Sequence, residues 1–402
     1  MLLCPAEVSS EVGSIGVQAT GLPGGGTYHR RKIMMIERFN IGDRLRPYRR
    51  WGARPVVTGI FLIASVILSS CGGSARMKHF VAEAREAIIS ADAAMGDWKG
   101  TWKSSDPTET GPLVAQVIAL GNGQYRANFL EMFDARIEPY CVLDGKRHGA
   151  VVRFEGPAKC EDKNLDVKAV IEGDKLTGTF SGDASGTFSL RRAIRVSPTM
   201  GARPPKGAVV LFDGKDFREW KIAKKPPGQD EVKWEIVDGA MRVVPGTGSI
   251  ITKKNFGDAK LHIEFRTPFM PEARGQGRGN SGVYLQGRYE VQVLDSYGLE
   301  GKNNECGGIY GVKAPRVNMC APPGQWQTYD IIFRAPRFDK AGKKTSNATL
   351  TVRHNGVLIH DKTEVPAATR ASLSGEAPEP GPLYLQNHGN KVEYRNIWLV
   401  EQ

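Results

Sequence analysis

The chain has 402 residues, 24% charged and 40% hydrophobic, with 55 Lys+Arg against 43 Asp+Glu and a net charge of +12. That balance excludes a disordered or fibrous protein, and the presence of only one long apolar run excludes a multi-span membrane protein. The length predicts two or three domains, and 47 Gly with 24 Pro suit short strands joined by turns rather than helices.

Residues 1–70 read as a leader. The stretch 1–32 has no sustained periodicity, and Met34 or Met35 is the more natural start. Arg38, Arg44, Arg46, Arg49, Arg50 and Arg54 then precede a 13-residue apolar run at 56–68, a positive region followed by a core too short to span a bilayer comfortably. Leu68-Ser69-Ser70-Cys71 resembles a bacterial lipobox, which predicts lipid on Cys71 and an exported, membrane-anchored lipoprotein facing the periplasm or on the outer membrane. Nine Lys/Arg and four Asp/Glu leave with the leader, so the mature charge falls to +7. The remaining charges are interspersed and match no DNA-binding motif, so no nucleic-acid partner is expected.

Of the six cysteines, four form two local pairs, Cys141/Cys160 and Cys306/Cys320. In an exported chain this predicts two disulfides, each contributing about 3 kcal/mol. A zinc site would need CxxC-type spacing, which is absent.

Residues 71–97 read as a tether with an amphipathic helix, since Met77, Phe80, Val81, Ala84, Ile88 and Ala91 recur at helical spacing. Residues 98–197 read as a small antiparallel β domain, a barrel or meander, with strands at 113–120, 124–133, 150–154, 165–171, 176–180 and 186–194. Turn signals such as Gly121-Asn122-Gly123 separate them. Residues 198–206, with Pro198, Gly201, Pro204 and Pro205, read as a linker. Residues 207–402 carry about ten alternating or fully apolar runs and almost no helical pattern, which predicts an all-β sandwich of two sheets.

The motifs of this last region are ordered. Leu211-Phe212-Asp213-Gly214 and Trp220 come first, then Trp234-Glu235-Ile236-Val237-Asp238-Gly239. Gly279-Asn280-Ser281-Gly282-Val283-Tyr284 and Tyr289-Glu290-Val291-Gln292-Val293-Leu294-Asp295 follow. Gly381-Pro382-Leu383-Tyr384-Leu385-Gln386-Asn387-His388-Gly389 and Tyr394-Arg395-Asn396-Ile397-Trp398 close the series. Together they resemble the 3-keto-disaccharide hydrolase family. The resemblance implies a concanavalin-like jelly roll and an enzyme that cleaves glycosides already oxidised to a ketone at carbon 3. It also implies an upstream sugar 3-oxidase as partner. Asn387 stands where the motif often has Asp, and the Cys306–Cys320 loop with Tyr310 resembles one branch of the family.

In this chemistry the ketone acidifies the carbon 2 proton, so a carboxylate or His base removes it, the carbon 1 group leaves, and water adds to the enone. A donor or a divalent metal ion must stabilise the enolate oxygen, which makes such an ion a candidate cofactor. Alternation along 289–295 puts Tyr289, Val291 and Val293 on the core face and Glu290 and Gln292 on the substrate face, with Asp295 at the strand end. Gln386 and His388 share a face in the same way. Glu290 and His388 are therefore the expected catalytic residues or metal ligands. Asn280, Gln292, Asp295, Tyr310, Gln386 and Trp326 are the expected substrate contacts. Arg288 and Arg395 are expected to pair with Asp295 and Glu393. Two other readings stay open: a lectin-like binding module without catalysis, and an ordinary glycosidase on the same fold.

Overall fold

A computed structural model describes residues 71–402, apart from 107, 161 and 225–230. The expected leader, with its apolar run, lies outside the described residues, as does the side chain of Cys71. No helix among the described residues is long and apolar enough to cross a membrane.

The first element is a helix, α1 (Cys71–Ala91). Eight strands then close on themselves: β1 (Gly96–Ser104), β2 (Thr110–Gly121), β3 (Gln124–Leu130), β4 (Cys141–His148), β5 (Val151–Cys160), β6 (Lys163–Glu172), β7 (Lys175–Gly182) and β8 (Gly186–Ala193). Each pairs antiparallel with the next, and β1 pairs β8 to complete the barrel. Alternation drives the closure. In β6, Leu165, Val167, Ala169 and Ile171 point inward while Asp166 and Lys168 face out. The interior is packed with Trp98, Tyr125, Phe129, Phe154 and Phe188. Asn122 (φ 52°) and Gly123 (φ 68°) form the two-residue turn between β2 and β3, where both positions need left-handed backbone.

The remaining strands are β9 (Val209–Phe212), β10 (Trp220–Ile222), β11 (Glu235–Val237), β12 (Ala240–Arg242), β13 (Ile250–Phe256), β14 (Ala259–Arg266), β15 (Ser281–Leu285) and β16 (Tyr289–Val293). They continue as β17 (Gln327–Arg334), β18 (Arg337–Phe338), β19 (Lys344–Ser346), β20 (Ala348–His354), β21 (Val357–Val365), β22 (Gly381–Leu385) and β23 (Glu393–Glu401). One sheet runs β10-β13-β22-β15-β16, and the other runs β11-β12-β23-β14-β17-β20-β21 with β9 beside β23. Their facing side chains, among them Ile263, Phe265, Tyr289, Val291, Tyr329, Ile331 and Tyr394, are buried in one core. Among the described residues the molecule is thus all-β apart from one α-helix, a closed barrel followed by a jelly-roll-like sandwich.

Several strands go beyond those read from the sequence. β1, β4, β13 and β21 are additional, because charged residues on their exposed positions mask the alternation, and so are β10, β18 and β19, which are only two or three residues long.

The segment after the barrel is bonded down rather than loose. His262 and Glu264 lie on the outer face of β14, and this segment covers them. Thr199 Oγ1 donates to Asp330 Oδ2 at 2.6 Å, and the Gly201 amide donates to Glu264. Asn396 Nδ2 and Trp398 Nε1 both donate to Ala202 O. Helix α1 joins this cover through Glu83, which takes Arg395 at 2.7 Å, while Arg395 Nε holds Glu264 at 2.8 Å.

Arg395 therefore does not pair with Glu393, which binds Arg242 and Arg266 instead. The expected disulfides are also not formed among the described residues. Each pair is nevertheless together, with the thiols of Cys141 and Cys160, and of Cys306 and Cys320, in hydrogen-bonding contact. The sequence spacing thus brings the two sulfurs of each pair together.

Candidate functional site

β15 and β16 form a hairpin in which Tyr284 lies opposite Glu290 and Gly282 opposite Gln292. Alternation sends Tyr289, Val291 and Val293 into the core and Glu290 and Gln292 to the other face of the sheet. That face is covered. The backbone of residues 307–310 bonds to the free edge of β16, with Tyr310 N donating to Glu290 O and Gln292 N to Gly308 O. On the same edge Glu290 N donates to Thr369 Oγ1 at 3.0 Å, and Thr369 in turn donates to Arg288 O. Glu290 is consequently only 2% exposed and Gln292 1%.

Between these covers lies an open cleft of about 360 Å³. Glu290, Gln292 and Tyr284 come from the hairpin, Gln386 and His388 from the end of β22 and the loop beyond. Tyr310 and Arg370 come from the two covering segments, Gln276 and Asn280 from the loop before β15.

Burial pushes the Glu290 carboxyl up to about 8, and its hydrogen bond with Tyr284 acts in the opposite direction. The single Tyr284 hydroxyl proton is shared between Glu290 and Arg370 O, the latter at 3.2 Å, and the oxygen accepts from Gln386 Nε2 at 3.3 Å. Burial, then the nearby Glu290 carboxylate, holds this phenol well above its usual range. Room for the carboxyl comes from Gly282, since a Cβ there would stand 2.4 Å from Glu290 Oε1. Gln292 Nε2 donates to Gln276 Oε1 at 3.0 Å, while Gln292 Oε1 is buried with no partner. A buried acceptor of this kind is suited to an incoming hydroxyl group.

The structure therefore gathers Glu290, His388, Asn280, Gln292, Tyr310 and Gln386 around one cleft. Two expected contacts lie elsewhere. Asp295 is beyond the end of β16 and buried in an ion pair with Arg278 at 2.6 Å, not with Arg288. Arg288 instead bonds Gln286 and the backbone of Ala377 and Glu379. Trp326 packs under the helix side of the sandwich, between the guanidinium groups of Arg395 at 4.0 Å and Arg266 at 4.7 Å. Sequence reasoning missed Tyr284, Gln276 and Arg370. Tyr284 was accessible, because it shares Gly282's face by the same alternation; Gln276 and Arg370 sit in loops that carry no periodicity.

As a metal site the cleft is poor in donors. Among the described residues no group of three His, Cys, Asp or Glu side chains converges, and the lining offers only Glu290 and His388. Glu290 and His388 alone fall short of a metal-binding set.

Residues 207–400 match the 3-keto-alpha-glucoside-1,2-lyase-like domain. This part of the chain belongs to that family. Its description makes the domain a carbohydrate-processing one. A candidate glycosyl hydrolase from Parabacteroides distasonis is 37% identical, the match covering 49% of this chain and 85% of that one with a TM-score of 0.45. A second from the same organism is 21% identical over 49% of this chain and 94% of that one, TM-score 0.34. A fatty-acid-binding protein from Echinococcus granulosus is 14% identical over 25% of this chain and 98% of that one, TM-score 0.18. Comparison with curated proteins gives no match.

The family motifs Gly279–Tyr284 and 289–295 are the two strands of the hairpin, and 381–389 delivers Gln386 and His388. These three motif segments therefore meet in the cleft.

Proposed function

We propose that this cleft cleaves 3-keto-glycosides by elimination, with Glu290 as the base. The observation that carries this reading is a single, deeply buried carboxyl of raised basicity in a cleft large enough for a sugar, with no second carboxylate on the lining. Ordinary glycosidases need two carboxyl groups flanking the bond. Abstraction of a proton beside a ketone needs one base, and a carboxylate near 8 is a stronger base than a solvated one.

Glu290 takes the proton from carbon 2, and the electron pair moves into a carbon 2–carbon 3 double bond with charge on the former ketone oxygen. The ketone re-forms as a carbon 1–carbon 2 double bond appears and the carbon 1–oxygen bond breaks. The leaving oxygen keeps the bonding pair and takes a proton. Water then adds at carbon 1 and a proton returns to carbon 2, so the sum is hydrolysis. Gln386 Nε2 and the Tyr310 hydroxyl are the donors suited to the enolate oxygen. His388, exposed at the mouth, is suited to pass a proton to the leaving group. Gln292 Oε1 and the amide of Asn280 are suited to the sugar hydroxyls. Export by a lipid on Cys71, and a partner that oxidises carbon 3 of the sugar, complete the reading; they rest on the leader sequence and on the need for a ketone.

The test incubates the chain from Gly72 onward with a 3-keto-disaccharide and with its unoxidised parent, with and without EDTA, and follows the released sugar. Cleavage of the ketone alone is expected, and Glu290→Gln lowers it by about a thousandfold. Cleavage of the parent would replace this reading with an ordinary glycosidase. Binding without cleavage would replace it with a lectin-like module.

A further inference from the structure

Two arginines bracket the loop that carries Gln276, and both reach out of the sandwich to consecutive carbonyls at the end of barrel strand β2. Arg274 Nη2 donates to Leu120 O at 2.8 Å, and both terminal nitrogens of Arg278 lie 3.4 Å from Ala119 O. Gly121 follows at once, packed so closely that a Cβ there would stand 2.5 Å from Glu272 Cγ. Arg278 is buried, and its Nε holds Asp295.

The second loop facing Gln276 is docked on the barrel as well. Tyr297 donates to Asp97 Oδ1 at 2.7 Å, and Asn128 Nδ2 donates to Gly298 O at 2.7 Å. Asn304, six residues further along that loop, offers the carbonyl that takes Gln276 Nε2 at 2.7 Å. Asp295 N bonds Arg278 O, so the two loops are joined to each other as well as to the barrel. At the inner end of this chain of contacts the Gln276 side chain takes hydrogen bonds from Asn280 and Gln292, both on the cleft lining.

We infer that the barrel is a working wall of the sugar site: through Arg274 and Arg278, β2 sets the positions of the Gln276, Asn280 and Gln292 amides. The two arginines are positioning residues, since neither touches the cleft. The inference rests on the reading of that cleft as a sugar site. It predicts a division of labour in which the barrel governs how tightly the sugar is held, while Glu290, whose carboxyl is placed by Tyr284 and Gly282 rather than by Gln276, is unaffected.

Two variants of the mature chain test this. Arg278→Lys keeps a positive charge for Asp295 but loses the fork that spans Asp295 and the barrel carbonyl. Arg274→Ala removes an exposed side chain and leaves folding intact. Amide hydrogen exchange is followed for residues 272–281, with β3 and β17 as internal references. Exchange in 272–281 is expected to speed up about tenfold while the references do not move, as for local opening of a loop that has lost a charge-assisted hydrogen bond. KM is expected to rise about tenfold with kcat within about twofold and the pH midpoint unchanged, the pattern of lost uniform binding. Unchanged exchange and KM in both variants would overturn the inference, and so would faster exchange across β3 and β17, which would mark a general loss of stability. If the parent chain turns over no 3-keto-glycoside, the proposed function falls, while the exchange experiment still decides whether the barrel holds the loop.

Discussion

The Tyr284 hydroxyl meets the Glu290 carboxyl across the β15–β16 hairpin, and this contact opposes the effect of burial on the acid. Burial disfavours the carboxylate, whereas a hydrogen bond from the phenol favours it. The balance leaves the group near 8. A base at that position is used in its ionised form, so kcat/KM should rise as pH rises through about 8 and level off above it. In Tyr284→Phe the favouring bond is gone, so the midpoint moves further up and the rate at neutral pH falls by about tenfold. A pH–rate profile of the two proteins checks both statements, and a midpoint that moves down would contradict the assignment.

The same raised pKa has a consequence for folding. A carboxyl that binds its proton more tightly when folded stabilises the protein below the ordinary Glu range and loses that contribution as pH rises through about 8. Glu290→Gln should therefore be more stable than the parent at pH 9, by an amount on the order of a few kcal/mol, and lose this advantage at pH 4. Denaturant unfolding at the two pH values measures it. The same substitution should lower turnover by about a thousandfold.

Gly282→Ala puts a methyl group into the space of the Glu290 carboxyl, 2.4 Å from Oε1 and 2.7 Å from the Tyr284 ring. The sheet itself accepts Ala, so the fold should survive while turnover drops about a hundredfold from misplacement of the base. Circular dichroism and kinetics on the same sample separate the two effects.

Asp295 and Trp326 should behave as structural residues. Asp295→Ala leaves Arg278 buried without its partner, which should cost about 3–5 kcal/mol. Trp326→Ala empties the space between Arg266 and Arg395 and should cost about 3–5 kcal/mol, with kcat/KM per folded molecule unchanged. Thermal unfolding and active-site-normalised kinetics distinguish this from a role in sugar stacking.

How far these roles could be read in advance depended on strand parity. Within β16 the period of two held from Tyr289 to Val293, so Glu290 and Gln292 were assigned to the right face without knowledge of the sheet. Two residues later the strand has ended, parity no longer holds, and Asp295 turned to Arg278 instead of the cleft. Trp326 stands just before β17, where parity had not yet begun. The burial of Glu290 was not readable at all, because it comes from residues 308–310 and 369 on the open edge of the strand, contacts made across long separations in the chain. The sandwich was evident from its many apolar runs. β13 escaped because Lys253 and Lys254 interrupt its pattern on the exposed side.

The helix and the segment after the barrel are bonded to the outer face of β14 and β23, which would matter for a chain anchored at Cys71. A 21-residue helix is about 30 Å long, and the Glu83–Arg395 pair clamps it to the sandwich. If lipid holds Cys71 at a membrane, the catalytic domain has no slack line on which to drift. It would work at a fixed stand-off with a fixed heading, meeting substrates that pass close to the surface and leaving those in the wider compartment to diffuse in.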